Sequence, residues 1–372
     1  MSVERLQRIS EIMKRNIDTG AFTGMVTLVA RHGRVAHFEA HGLMDRESSR
    51  PMQKDALFRI SSMTKPIVAV AVLILVEQGK IALDDPVSKF VPEMKSMNIA
   101  AGSQGTGRAR REITIEDVLT HTAGFVTSQE SELQARKLGL PGDTLATRVP
   151  RLAQLALDFQ PGTRWAYSPS FAFDILARTV EVVSAQGFDQ YLREHIFEPL
   201  GMMDSSFARP DGNPRTASLY IPGAGGLRKQ SSPRVMNGVY FSASFGLVST
   251  AHDYLRFAQM LLNGGALEGR RILIAKMLAT MTAAHVTDKL PGVPSGTEFG
   301  LGVRMVRNPA VAGSKLSEGA YGWPGSFGTF FWVDPKLDLI AIFMGQMINT
   351  IPRQERPVRA EFEQAVMQSI AQ

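Results

Sequence analysis

One uninterrupted apolar stretch, Ile67 to Val76, restricts this chain more than any other feature. A bilayer span needs roughly 20 such residues. At ten residues, the stretch predicts a helix buried inside a protein core. A helix that is apolar all round must be covered on every side. The 372 residues supply that cover, and a chain of this length predicts two compact lobes rather than one. There is no cysteine, so disulfides, thiolate metal sites and thiol nucleophiles are excluded. The net charge is +6, spread over 41 basic and 35 acidic residues. Its dense basic cluster, Arg108, Arg110 and Arg111, sits in a Gly-rich stretch and reads as a solvated loop face. A nucleic-acid footprint would need a continuous basic stripe, so no nucleic-acid partner is expected.

The N-terminus lacks the apolar core and small-residue cleavage site of a signal peptide. Val3, Leu6, Ile9, Met13 and Ile17 recur at helical spacing, which predicts an amphipathic helix ending near Gly20. A cytoplasmic protein without membrane association is the expectation. Met25–Ala30 and Arg34–Ala40 are β-prone runs around a tight turn at Arg31-His32-Gly33, which predicts a hairpin. A second hairpin is expected from Ser326–Val333 and Leu339–Gly345, then a helix over Arg359–Ile370 with Pro357 just ahead of it. Between these ends the pattern is helical: Ile115–Leu119, Leu152–Asp158, Phe171–Ser184 and Phe188–Phe197. The simplest assembly is one α/β lobe made from residues 1–80 and 234–372, with a helical lobe, 81–233, inserted between them. Residues 102–112 and 223–234 read as exposed loops.

Ser62-Met63-Thr64-Lys65 stands at the start of the apolar stretch. Residues three apart share a helix face, so Lys65 can approach the Ser62 hydroxyl. A serine is a poor nucleophile until a neighbouring base takes its proton. A lysine can serve if burial favours its neutral form. The helix N-terminus adds a positive field and unpaired N–H groups, both suited to a developing oxyanion. Pro66 removes a helical hydrogen bond and predicts a strained first turn. A Gly-x-Ser-x-Gly elbow is absent. None of the seven histidines falls in a recognisable catalytic setting. His121 reads as a structural hydrogen-bonding residue, and no histidine pair has the spacing typical of zinc, so neither metal nor cofactor is expected.

Five segments in order are similar to those of one family. Phe58 to Pro66, with its Ser-x-x-Lys, resembles the first motif of the serine β-lactamase and penicillin-binding protein superfamily. Within it, the class C β-lactamase-like family VIII carboxylesterases fit best. Leu119-Thr120-His121-Thr122-Ala123-Gly124 and Gly246-Leu247-Val248-Ser249-Thr250 look like landmarks of that family. Tyr167-Ser168-Pro169 sits where the family has Tyr-x-Asn, and Trp323-Pro324-Gly325 where it has Lys-Thr-Gly. The resemblance implies an α/β fold of the α+β type: an antiparallel sheet flanked by helices, with an inserted all-helical domain, β-lactamase/transpeptidase-like. It implies that Tyr167 bonds to Ser62 and Lys65, the three sharing protons. It further implies an oxyanion hole from the N–H groups of Ser62 and Ser326. Gly325 would permit close backbone approach.

Two departures bear on substrate. Trp323 replaces a cation that would attract a β-lactam carboxylate and offers an apolar wall instead. Pro169 replaces an asparagine that would hold a β-lactam side chain. Substrate contacts are therefore expected at Trp323, Gly325 and Pro169. The expected activity is hydrolysis of short-chain or aromatic carboxylic esters, a small-molecule substrate, through a Ser62 acyl-enzyme. A β-lactamase, a D-amino-acid peptidase or amidase, an acyltransferase and a non-catalytic binder remain open. The sequence does not say whether Lys65 or Tyr167 is the base.

Overall fold

The computed structural model describes residues 1–100, 107–207, 212–223, 226–231, 239–348 and 357–370. Both chain ends build one eight-stranded antiparallel sheet. In spatial order its strands are Thr297–Phe299, Arg304–Val306, Tyr321–Gly325, Thr329–Asp334, Leu339–Gly345, Gly24–Arg31, Arg34–Asp45 and Arg50–Pro51. His32 and Gly33 both take positive φ, 52° and 67°, as a two-residue hairpin turn requires. The central strands are buried on both faces because helices cover both. On one face Met25, Val29, Trp332 and Phe343 pack against Leu6, Ile9 and Met13 of the helix Val3–Asp18 and Phe362 of the helix Pro357–Gln368. On the other, Val26 and Leu28 pack against the helix Thr64–Glu77, whose residues Thr64 to Leu75 are all buried. Among the described residues no helix is long and apolar enough to cross a membrane.

The inserted region is helical: Ile115–Leu119, Gln129–Lys137, Leu145–Leu152, Ala172–Ser184 and Phe188–Leu192. An antiparallel sheet flanked by helices with a helical insertion is therefore the observed fold.

Several expectations need correction. The helix expected over Leu152–Asp158 ends where it was expected to begin, spanning Leu145–Leu152. Thr144 caps it by accepting from the Thr147 N–H, and Leu157 instead pairs its backbone with Asn98 and Ala100. Part of the expected loop 223–234 belongs to a hairpin, Leu219–Gly223 with Gly226–Gln230. That hairpin docks on the terminal sheet, where Tyr220 exchanges backbone bonds with Gln346 and Ile348. Residues 224–225 and 232–234, including the expected boundary, lie outside the described residues. So do 102–106 of the other expected loop, while Gly107–Arg108 pairs with Asn98–Ile99. Arg111 is no free loop cation, because its guanidinium grips Asp117. Pro357 stands at the first helical position instead of ahead of the helix, where a missing N–H costs nothing.

The second hairpin is really three strands. Ser326 to Gly328 turn between Tyr321–Gly325 and Thr329–Asp334. The strand Tyr321–Gly325 outruns its neighbour, which pairs with Tyr321 and Gly322. Pro324 lies opposite Phe330 on one side and has no strand partner on the other, a local edge position where a strand tolerates a missing N–H.

Candidate active site

Ser62 lies in a single 3₁₀ turn, Ser61–Met63, that runs straight into the buried helix. The strain expected at Pro66 falls instead on Ser61, whose φ is +49°. Pro66 occupies the first helical turn, where helical N–H groups lack partners anyway. A non-glycine residue in the left-handed region persists only when its surroundings hold it. Here Ser61 Oγ lies 2.6 Å from Ser326 Oγ, its carbonyl accepts from Thr64 Oγ1 at 2.7 Å, and the Met63 carbonyl accepts from Tyr254 OH at 2.9 Å.

Three side chains from two distant stretches meet at this turn. Tyr167 OH donates to Ser62 Oγ at 2.8 Å. Lys65 Nζ is 3.1 Å from Tyr167 OH and 3.5 Å from Ser62 Oγ. Lys65 is fully buried, and its Nζ also donates to the carbonyls of Ser244 at 2.8 Å and Pro169 at 3.1 Å. Carbonyls only accept, so they take N–H bonds and orient the remaining valence toward the phenol. The shortest link runs between Ser62 and Tyr167.

Tyr167 is itself tightly placed. His121, at φ +61°, accepts from Ala166 N at its carbonyl, 3.1 Å away, and from Ser168 N at its ring, 3.5 Å away. The His121 ring packs edge-on against Tyr167 at 4.9 Å and stacks on Trp323 at 5.5 Å. The expected structural role of His121 has its physical form here: its backbone and ring together brace the segment bearing Tyr167.

Trp323 is buried, at 4% exposure, and its ring lies 5.6 Å from Tyr167 and 6.0 Å from Phe299. It backs the phenol as part of the core and is less open than a cleft wall. Pro169 has an exposed ring, and the polar contact it makes with the cluster is through its carbonyl. A Cβ on Gly325 would fall on the Ile60 carbonyl and on Thr329 Oγ1, so glycine is required for this strand to lie against the serine turn. That brings the backbone of residues 325 and 326 beside Ile60–Ser62.

Sequence reasoning missed Asp174. It is fully buried and accepts from Tyr240 OH, from Ser242 Oγ at 3.0 Å and from the Ser244 N–H at 3.1 Å. It therefore fixes the loop whose Ser244 carbonyl holds Lys65. Burial pushes the Asp174 carboxyl above the usual carboxylate range, and its hydrogen bonds and Arg148 oppose that without cancelling it. No signal in the sequence singled it out, since it reads as one polar residue on a helix.

A family model described as Beta-lactamase matches residues 7–365. The chain belongs to the beta-lactamase family. Relatives of this beta-lactamase-family chain include Protein Rv1367c of Mycobacterium tuberculosis, 35% identical over 88% of this chain and 87% of the relative. Esterase EstB of Burkholderia gladioli is 32% identical over 91% and 89%. Among solved structures, EstCE1, a hydrolase with promiscuous acyltransferase activity, superimposes with a TM-score of 0.84. It is 27% identical, with 98% of this chain and 99% of that one covered. The unliganded selenomethionyl simvastatin synthase LovD of Aspergillus terreus has a TM-score of 0.82 at 23% identity, over 99% of both chains, and shares the fold. The chain is a serine-hydrolase-type enzyme of the beta-lactamase family.

Proposed function

We propose that this enzyme hydrolyses small carboxylic esters through an acyl group carried on Ser62. The observation that carries this reading is the triangle of Ser62 Oγ, Tyr167 OH and Lys65 Nζ, with edges of 2.8, 3.1 and 3.5 Å. Tyr167 relays the serine proton as Ser62 attacks the ester carbonyl, and returns it to the leaving alcohol. Lys65, held by two carbonyls, stabilises as an ammonium the Tyr167 phenolate that takes this proton, and the phenol stays neutral until the leaving alcohol receives it. The N–H groups of Ser62 and Ser326 receive the oxyanion, an arrangement worth about 10²–10³-fold per donor. Trp323, Gly325 and Pro169 border the acyl site. The absence of a cation at 323 supports neutral esters over β-lactams or peptides, although putative D-alanyl-D-alanine carboxypeptidases of Salmonella are more distant relatives. We assign residues 1–80 with 234–372 to the sheet lobe and 81–233 to the insertion, with the 219–230 hairpin resting on the sheet.

The test compares hydrolysis of p-nitrophenyl butyrate with that of nitrocefin, followed by intact-mass analysis. Ester turnover exceeding nitrocefin turnover, with an acyl adduct on Ser62, is expected. Faster nitrocefin hydrolysis would overturn the ester reading. A second reading, acyl transfer to an alcohol or amine, is favoured by likeness to EstCE1. Added acceptor would then divert acyl groups from water into a new ester or amide.

A further inference from the structure

The sheet face turned away from Ser62 carries another polar cluster. His37, Glu39 and His41 alternate along the strand Arg34–Asp45, and a period of two puts all three on one face. In register they lie beside Val29, Thr27 and Met25. The N-terminal helix reaches over them, with Ser10 Oγ donating to Glu39. Thr27 Oγ1 is 2.8 Å from His37 Nε2. His37 is buried, and the Glu39 side chain is 46% exposed, which leaves the cluster open to solvent on one side. One ring nitrogen from each histidine and one carboxylate oxygen lie within 4.8 Å of one another.

The contact between His41 and Glu39 is unusual. His41 Nε2 is buried and 3.5 Å from Glu39 Oε2, yet it has no hydrogen-bond partner among the described residues. Two ligands of one tetrahedral ion, each about 2.0–2.1 Å from it, stand about 3.3 Å apart. The observed spacing is close to that of ligands sharing a cation. Helical and loop spacings, the usual sequence signs of zinc, do not describe residues at alternate strand positions.

We propose that His37, Glu39 and His41 bind one divalent transition-metal ion of the zinc class, with water completing the coordination. Two imidazoles and one carboxylate suit such an ion better than magnesium or calcium, which prefer all-oxygen sets. Thr27 and Ser10 hold the ligands from outside, as outer hydrogen bonds do in metal sites. The ion ties the strand to the N-terminal helix through Glu39 and Ser10, across the sheet from Ser62, and takes no part in ester turnover.

The test is calorimetric titration of untagged, chelator-stripped, full-length protein with zinc chloride, alongside visible absorption on adding cobalt(II). One ion per chain, a raised Tm under zinc, and cobalt bands lost in His37→Ala and His41→Ala are expected. Ser10→Ala should weaken zinc by about 10–100-fold, as loss of an outer partner does. Failure of the wild-type protein to bind one equivalent saturably would overturn the proposal, whether or not the variants fold. Undiminished affinity in a folded His37→Ala/His41→Ala double variant would overturn it too.

Discussion

The Ser62 cluster and the His37 cluster lie on opposite faces of one sheet and are assembled by different means. His37, Glu39 and His41 come from five consecutive residues, and strand alternation alone aligns them. Ser62 and Tyr167 stand 105 positions apart, and they and Lys65 converge only because loops force them to. Around them stand left-handed Ser61, His121 and Phe171. The backbone carbonyls of Pro169 and Ser244 hold the lysine, and buried Asp174 holds one of those carbonyls in turn. A cluster made by periodicity needs little support. A cluster made by convergence needs strain and a buried network to hold it, and the difference can be tested.

Ser62→Ala should give the largest effect: turnover falls by about 10⁴–10⁶-fold while the far-UV circular dichroism and Tm stay near wild type. Retained turnover would remove the serine from the centre of the comparison. Lys65→Ala and Tyr167→Phe should each lower kcat by about 10²–10⁴-fold. In the double variant the losses should not add, because the groups act as one unit. Steady-state kinetics on a p-nitrophenyl ester reads both.

Asp174→Ala comes next. It leaves Tyr240, Ser242 and the Ser244 N–H without their acceptor, at a cost of about 3 kcal/mol in stability. It should also lower kcat by about 10–100-fold through misplacement of Lys65, with KM nearly unchanged. Asp174→Asn, which keeps an acceptor oxygen, should recover part of both. Urea unfolding and the split between kcat and KM separate this from a purely structural role.

A smaller effect is expected at Asp158, which receives bonds from Thr127, Ser128 and Ser131 where the helix Gln129–Lys137 begins. Burial alone would raise its pKa, but these hydrogen bonds outweigh burial and lower it. A depressed folded pKa contributes stability above the ordinary carboxylate range and loses it as pH falls through the folded value. Tm should therefore drop below about pH 4, and less steeply in Asp158→Asn. Smallest of all, His37→Ala and His41→Ala should change ester kcat less than about twofold, within the range of substitutions away from such networks. A large loss would mean that the two faces are coupled through the sheet.

Much of this architecture was legible in advance. The apolar run at Ile67–Val76, the periodic face of the first helix and the hairpin at His32-Gly33 are local signals, and they appear where local rules put them. The missed strand Tyr321–Gly325 shows the limit. Pro324 argues against a strand until one sees that one of its two sides has no neighbouring strand to bond. The helix expected at Leu152–Asp158 failed for a related reason, since Leu157 found backbone partners at Asn98 and Ala100 that no local pattern announces.

The sequence by itself determined the candidate nucleophile, the buried helix behind it and the antiparallel sheet from both chain ends, because spacing and hydrophobic pattern act over a few residues. Only the tertiary structure decided that strain sits on Ser61, that Pro169 serves through its carbonyl, that Asp174 steadies Lys65 and that His41 faces Glu39. Those facts depend on which distant backbone groups meet, and such meetings follow from the packing of the whole chain.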